Sequence, residues 1–194
     1  SGLVTISATQ PGDSFTFAAR SVSSLLRVSP RSLSVAIVKV LDKVYDGSSL
    51  AQISDFQASG VMPGDSLTIT PTAMFDEIDT GNSVRVSVDL LVEGRDAWKY
   101  LVSGTTTSAS ISPRPLTLTA KPSSKTVGGN DPTLSYAVSN LAPNDSMLGE
   151  LFRDPGENPG KYTIRQGSLG PSRMNNYTIR FVSADFLIEA TSGL

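Results

Sequence analysis

Apolar and polar residues alternate through most of the chain. Leu67-Thr68-Ile69-Thr70, Val84-Arg85-Val86-Ser87-Val88, Leu116-Thr117-Leu118-Thr119, Tyr162-Thr163-Ile164-Arg165 and Tyr177-Thr178-Ile179-Arg180-Phe181 each put an apolar side chain at every second position. A period of two gathers them on one face of a strand and leaves threonine, serine and arginine on the other. Turn clusters separate the runs: Pro11-Gly12-Asp13, Asp46-Gly47, Pro63-Gly64-Asp65, Gly128-Gly129-Asn130-Asp131-Pro132, Asn158-Pro159-Gly160 and Gly170-Pro171-Ser172. Glycine and aspartate tolerate turn conformations, and proline pre-sets one of them. The pattern predicts an all-β chain of short antiparallel strands, built as immunoglobulin-like sandwiches or, as the alternative, β-grasp-like domains. The best helix candidate is the run at 145–152, a turn or two long. Its counterpart at 65–75 alternates like a strand, so the fold is not expected to depend on a helix.

The chain also repeats itself. Val28-Ser29-Pro30-Arg31-Ser32-Leu33-Ser34-Val35 returns as Ile111-Ser112-Pro113-Arg114-Pro115-Leu116-Thr117-Leu118, an offset of 83 residues. Lys43-Val44-Tyr45-Asp46-Gly47 aligns with Lys125-Thr126-Val127-Gly128-Gly129, and Pro63-Gly64-Asp65-Ser66 with Pro143-Asn144-Asp145-Ser146. Phe15-Thr16-Phe17 matches Tyr100-Leu101-Val102 and Tyr177-Thr178-Ile179. Self-similarity at a fixed period signals a tandem array whose units pack on their neighbours. The expected organisation is a strand-rich tail of a preceding unit at 1–29, one β domain at 30–112 and a second at 113–194. Pro30 and Pro113 mark the joints. Proline removes a donor and holds the preceding residue extended, so the joints are expected to be short and stiff, and the array an elongated rod. The apolar face of the tail (Val4, Ile6, Phe15, Phe17, Leu25, Leu26) is expected to pack on the first whole unit or on a neighbouring molecule.

Composition mainly excludes. The 194 residues contain no cysteine and no histidine. Disulfides, thiolate metal sites, cysteine nucleophiles and the Ser-His-Asp arrangement are therefore impossible. Net charge is −2. It is distributed as 6 basic and 10 acidic residues over 30–112, and 8 and 7 over 113–194. No concentrated basic stripe marks a nucleic-acid partner, and no apolar run is long enough to insert in a bilayer. The first 20 residues lack the layout of a signal peptide, and the chain reads as part of something longer.

At this point the residues carry a resemblance. Lys43-Val44-Tyr45-Asp46-Gly47, Gly60-Val61 with Gly64-Asp65, Asp96-Ala97 with Tyr100, Val102-Ser103-Gly104, and Ile111-Ser112-Pro113-Arg114 together resemble the YDG repeat domain. Asp131-Pro132, Leu134, Tyr136, Gly156-Glu157-Asn158, Gly160, Tyr162, Ile164, Gly167 and Asn176-Tyr177-Thr178-Ile179 with Phe181 are similar to the MBG repeat. The pairing implies a module of a filamentous-haemagglutinin-like adhesin, exported to the bacterial surface or secreted, without catalytic activity and without a cofactor. Its partners would be the neighbouring repeat domains, and a surface polysaccharide in the alternative reading. Two positions depart from the patterns: Val127-Gly128 stands where the MBG signature has Tyr-Gly, and Trp98 stands where the YDG pattern has a small or polar residue.

Few side chains qualify as a site. Tyr100 and Tyr177 recur at equivalent positions, which points to framework tyrosines with hydroxyls tied to nearby backbone. Trp98 has no such counterpart (Asn175 stands there) and is a candidate for stacking on a sugar ring or for covering the joint at Pro113. Arg165 and Arg180 lie on the polar phase of their strands. If those strands are neighbours, both arginines share a face that suits an anionic polysaccharide. Asp76, Glu77 and Asp79 do not follow the spacing of a calcium loop and read as a charged turn. No metal ligand set is expected. The many carboxylates include no pair in a hydrolase motif. Asn144-Asp145-Ser146 and Asn176-Tyr177-Thr178 fit the glycosylation pattern, but both fall where turn asparagines are expected.

Overall fold

The computed structural model describes residues 2–191, which are all-β apart from two short 3-10 turns. Strands β1 (Gly2–Gln10) and β2 (Ala19–Val28) form a hairpin. The first repeat supplies β3 (Arg31–Ser32), β4 (Ser34–Val40), β5 (Lys43–Val44), β6 (Leu50–Ala51), β7 (Ile53–Ser59), β8 (Thr68–Phe75), β9 (Gly81–Glu93), β10 (Tyr100–Leu101) and β11 (Thr105–Ser112). The second supplies β12 (Arg114–Ala120), β13 (Ser123–Thr126), β14 (Tyr136–Ser139), β15 (Met147–Leu148) and β16 (Phe152–Arg153). It continues with β17 (Gly160–Arg165), β18 (Gly170–Pro171), β19 (Tyr177–Val182) and β20 (Ala184–Glu189). The helix candidate at 145–152 is absent, and that stretch holds β15 instead.

The repeats share one plan. In the second, β12 lies between antiparallel β14 and parallel β19, and β20 lies between parallel β13 and antiparallel β17. In the first, β3 pairs in parallel with β10, β4 is antiparallel to β7, and the larger sheet runs β5-β11-β9-β8-β6 with β5 parallel to β11. The registers correspond. Tyr100 stands opposite Arg31 as Tyr177 stands opposite Arg114, and Ile111 opposite Lys43 as Ile188 opposite Lys125. The sheets are thus mixed, which corrects the expectation of purely antiparallel domains. Alternation along a strand reports which face is buried and carries no information on the direction of the neighbour.

The chain divides into two compact units. One comprises Ser1–Val40, Gln52–Ala73 and Ser87–Thr107; the other comprises Leu41–Ala51, Met74–Val86 and Ser108–Leu194. The second unit therefore joins the whole second repeat to three segments of the first, 41–51, 74–86 and 108–112. Its core follows the period of two: Leu116, Leu118 and Ala120 from β12, Ile164 from β17, and Phe186 and Ile188 from β20 are all buried. Tyr45, Phe75, Val86, Ala109 and Ile111, from the first repeat, are also buried in it. The first unit buries Leu33, Ala73, Val88 and Tyr100.

In the hairpin, Val4 faces Leu26, Ile6 faces Ser24 and Ala8 faces Val22, giving one largely apolar face. Every residue of both strands is nevertheless exposed, so this face is not covered by any of the described residues. Phe15 and Phe17 are almost fully exposed. Phe15 therefore does not take the buried role of Tyr100 and Tyr177, because among the described residues its segment has no parallel strand to lie against.

Candidate functional site

Each repeat builds the same corner. A tight turn brings Asp65 N–H to Met62 O (3.1 Å), and its equivalent brings Asp145 N–H to Ala142 O (3.1 Å). The 3-10 turns at Ala97–Lys99 and Met174–Asn176 deliver Tyr100 and Tyr177 to the starts of β10 and β19. The Tyr100 hydroxyl accepts from Met62 N–H (2.9 Å) and donates to Asp65 Oδ2 (2.6 Å). The Tyr177 hydroxyl accepts from Ala142 N–H (3.0 Å) and donates to Asp145 Oδ2 (2.5 Å). This is the geometry of a tyrosine corner, strengthened by an ionised acceptor. Both framework tyrosines are thus tied to nearby backbone as the sequence pattern suggests, and the carboxylate partner is additional.

The second corner is capped by Tyr45, whose side chain is completely buried. Its ring meets Tyr177 edge-on at 5.5 Å and 78°, and its hydroxyl donates to Asp145 Oδ2 at 3.0 Å. Tyr45 N–H donates to Ser112 O (2.9 Å), while its carbonyl accepts from Arg114 Nη1 (3.3 Å). Arg114 Nε donates to Asn140 O (2.6 Å). The turn after Tyr45 needs Gly47, at φ 76°, where a side chain is disfavoured. Asp46 steadies it by accepting from Ser48 N–H (2.9 Å) and Lys43 Nζ (2.8 Å). Beside this cap, buried Asn176 accepts from Thr80 N–H (2.9 Å) and donates to Asp79 Oδ1 (2.7 Å), which also takes Arg173 Nη1 (3.0 Å). Asp79 belongs to the acidic turn of the first repeat, so that turn does hold structure together.

Burial, and then the Asp145 carboxylate, push the Tyr177 hydroxyl up to about 12, and the same two causes raise Tyr45. A raised folded-state value means that the folded chain holds the phenolic proton more tightly than the unfolded chain does. The stabilisation is complete below pH about 10, the ordinary tyrosine value, and is lost as pH rises toward about 12. In an absorbance titration these two tyrosines are expected to ionise together with loss of structure, and Tyr177→Phe should flatten the alkaline fall in stability. Ionisation of all tyrosines near the ordinary value with structure intact would contradict this burial.

The first corner is open. A cavity of about 460 Å³ lies against it, lined by Val4, Val28, Pro30, Arg31, Met62, Asp65, Trp98, Lys99 and Tyr100 among others. Lys99 Nζ bonds Asp65 Oδ1 (2.7 Å) and Asp96 Oδ1 (2.9 Å). Asp96 is held down to about 2, first by the hydrogen bond from Ser66 N–H and then by Lys99.

Residues 29–109 match the YDG domain family, and residues 116–187 match the MBG domain family of YGX type. The chain thus carries a YDG domain at 29–109 followed by an MBG domain at 116–187. No curated protein and no solved structure matches it.

Trp98 of the YDG domain is 69% exposed. It lines the cavity beside Pro30, so the joint it borders is the one at Pro30. In the MBG domain, Arg165 lies on β17 and Arg180 on β19, which belong to different sheets. The condition for a shared arginine face, neighbouring strands, is therefore not met. Arg165 is held in an ion pair by Asp154, and Arg180 is exposed. The two arginines thus lie on separate sheets, and Trp98 belongs to the other compact unit.

Sequence patterns missed two features. One is the Asp145 corner with its Tyr45 cap, whose signal was the recurrence of an aspartate in both Pro-Gly-Asp-Ser and Pro-Asn-Asp-Ser. The other is Arg153, a nearly buried arginine of the MBG domain lying over the Phe186 ring (4.9 Å) and the Tyr162 ring (5.4 Å). It pairs with Asp131 and Glu157, and Lys125 bridges the same two carboxylates at 2.6 Å. Arg153 first and Lys125 second hold Asp131 down to about 2. A cavity of about 690 Å³ flanks this cluster, and the charges at its edge are already paired with one another.

Proposed function

We propose that this chain is a non-catalytic spacer module of a bacterial cell-surface or secreted adhesin. It acts in the extracellular space, where its repeats hold a binding region away from its anchor. YDG and MBG domains occur in surface and repeat proteins and are not known as enzymatic domains. The observation that carries the reading is Tyr45, a YDG residue buried at the tyrosine corner of the MBG domain. Tyr45 fixes the 41–51 segment of the YDG domain in the compact unit that holds the MBG domain, and such interlocking of consecutive repeats suits a spacer.

The test is an exchange in the adhesin that carries this chain. Replacing residues 30–191 by two unrelated β domains of similar length is expected to preserve adhesion, as are Trp98→Ala and Arg165→Ala. Loss of adhesion on the exchange, or on either substitution, would assign binding to the module itself and make it a carbohydrate-binding unit.

A further inference from the structure

The two tyrosine corners correspond residue for residue, yet among the described residues a cap covers the second and not the first. Tyr100, Asp65, Met62 and Arg31 stand in the first where Tyr177, Asp145, Ala142 and Arg114 stand in the second. At the second, the cap arrives on a strand. Strand β5 lies parallel on β11, and Tyr45 follows it into the corner. At the first, β2 takes the place of β11: Val28 leads into Ser29-Pro30-Arg31 as Ile111 leads into Ser112-Pro113-Arg114. Strand β1 pairs with β2 as β9 pairs with β11. Among the described residues, the other edge of β2 carries no strand. The consequences are visible in exposure. The Asp145 side chain is 1% exposed and that of Asp65 is 16%; Ala142 is 2% exposed and Met62 is 47%. Val4, Val28 and Trp98 form an exposed apolar rim around the open cavity.

We infer that the free edge of β2 and the cavity at Tyr100 and Asp65 form a socket for the tyrosine-bearing strand and turn of another repeat unit. The incoming strand adds in parallel to β2, a use of an open sheet edge that gives affinity through the main chain and selectivity through side-chain pockets. Its tyrosine enters the cavity, which is of the size that takes a compact ligand group. The hydroxyl donates to Asp65 Oδ2, as Tyr45 does to Asp145, and its carbonyl accepts from the Arg31 guanidinium, as that of Tyr45 does from Arg114. A folded second copy of this chain is a poor occupant, because its own Tyr45 is already buried. The inference rests on the repeat-module reading, but its test does not read adhesion.

Trp98 is the chain's single tryptophan and lines the socket, so its fluorescence reports occupancy. The probe is a synthetic peptide with the sequence of residues 39–51, which contains Lys43-Val44-Tyr45-Asp46-Gly47. Titrated into the full chain, it is expected to shift Trp98 emission to shorter wavelength saturably. A peptide with alanine in place of the tyrosine should bind about tenfold more weakly or worse, from the lost hydrogen bond to a charged acceptor and the lost ring. Asp65→Asn should weaken binding. Met62→Arg should block it, because it changes an exposed side chain and keeps the backbone N–H that the Tyr100 hydroxyl accepts from. No saturable shift at millimolar peptide, or equal binding of the alanine peptide, would overturn the inference. A shift that grows with the concentration of the chain alone would replace the proposed occupant by a second copy. Failure here with adhesion preserved in the exchange experiment would leave the spacer reading standing without the socket.

Discussion

Tyr45→Ala is expected to cost about 4 kcal/mol of stability, the magnitude of deleting a fully buried aromatic side chain. The side chain is completely buried, packs edge-on against Tyr177 and satisfies Asp145, so alanine leaves a cavity and removes a donor together. The measurement is urea unfolding followed by circular dichroism, with amide hydrogen exchange to locate the loss. Exchange should accelerate at the turn after Ala142 and at the start of β19, which Tyr45 covers. Tyr45→Phe keeps the ring and removes only the hydroxyl, so its cost should be about 1–2 kcal/mol. A loss below about 1 kcal/mol for the alanine variant would mean that the YDG tyrosine sits beside the MBG core without contributing to it.

Asp145→Ala should have the next largest effect, about 3 kcal/mol, because it strands two buried hydroxyls that share one carboxylate oxygen. Tyr177 would still accept from Ala142 N–H, which limits the damage. Arg173 Nε, 3.5 Å from Asp145 Oδ1, would keep its partner Asp79. Asp145→Asn offers an amide oxygen to both hydroxyls and loses only the charge, so it should cost roughly half as much. Urea midpoints for the two variants separate the hydrogen-bond and charge contributions. Equal losses for alanine and asparagine would show that charge dominates. A double-mutant cycle of Tyr45→Phe with Asp145→Asn should give a coupling of about 1 kcal/mol.

Corner tyrosines and turns were legible before any coordinates. Tyr100 and Tyr177 recur with the repeat, and the aspartates of the Pro-Gly-Asp and Pro-Asn-Asp turns precede them by 35 and 32 residues. A tie from each hydroxyl to backbone was expected from their recurrence, and the structure shows which turn supplies it. The meaning of Tyr45 was not legible, because its counterpart Val127 has no hydroxyl and a single aromatic in a turn does not reveal which neighbour covers it. Arg165 and Arg180 show the same limit. Their alternation correctly places them on the polar phase of two strands, and only pairing reveals that the strands lie in different sheets. Phe15 looked like a third corner aromatic by alignment, but it is exposed, because similarity of a short string does not supply the strand against which it must pack.

Local chemistry, then, was settled by the order of residues: alternation made strands, glycine and proline made turns, and the 83-residue echo made two domains of one plan. Each of these depends on interactions within a few residues, or on copying, and so is written along the chain. Partners were settled in three dimensions. Parallel pairing of β12 with β19, burial of Tyr45 against Asp145 and Tyr177, and the open socket beside Trp98 all arise between segments far apart in sequence. Such contacts form where faces, edges and hydrogen-bond demands fit together, and no period or spacing encodes the distant group that will meet them.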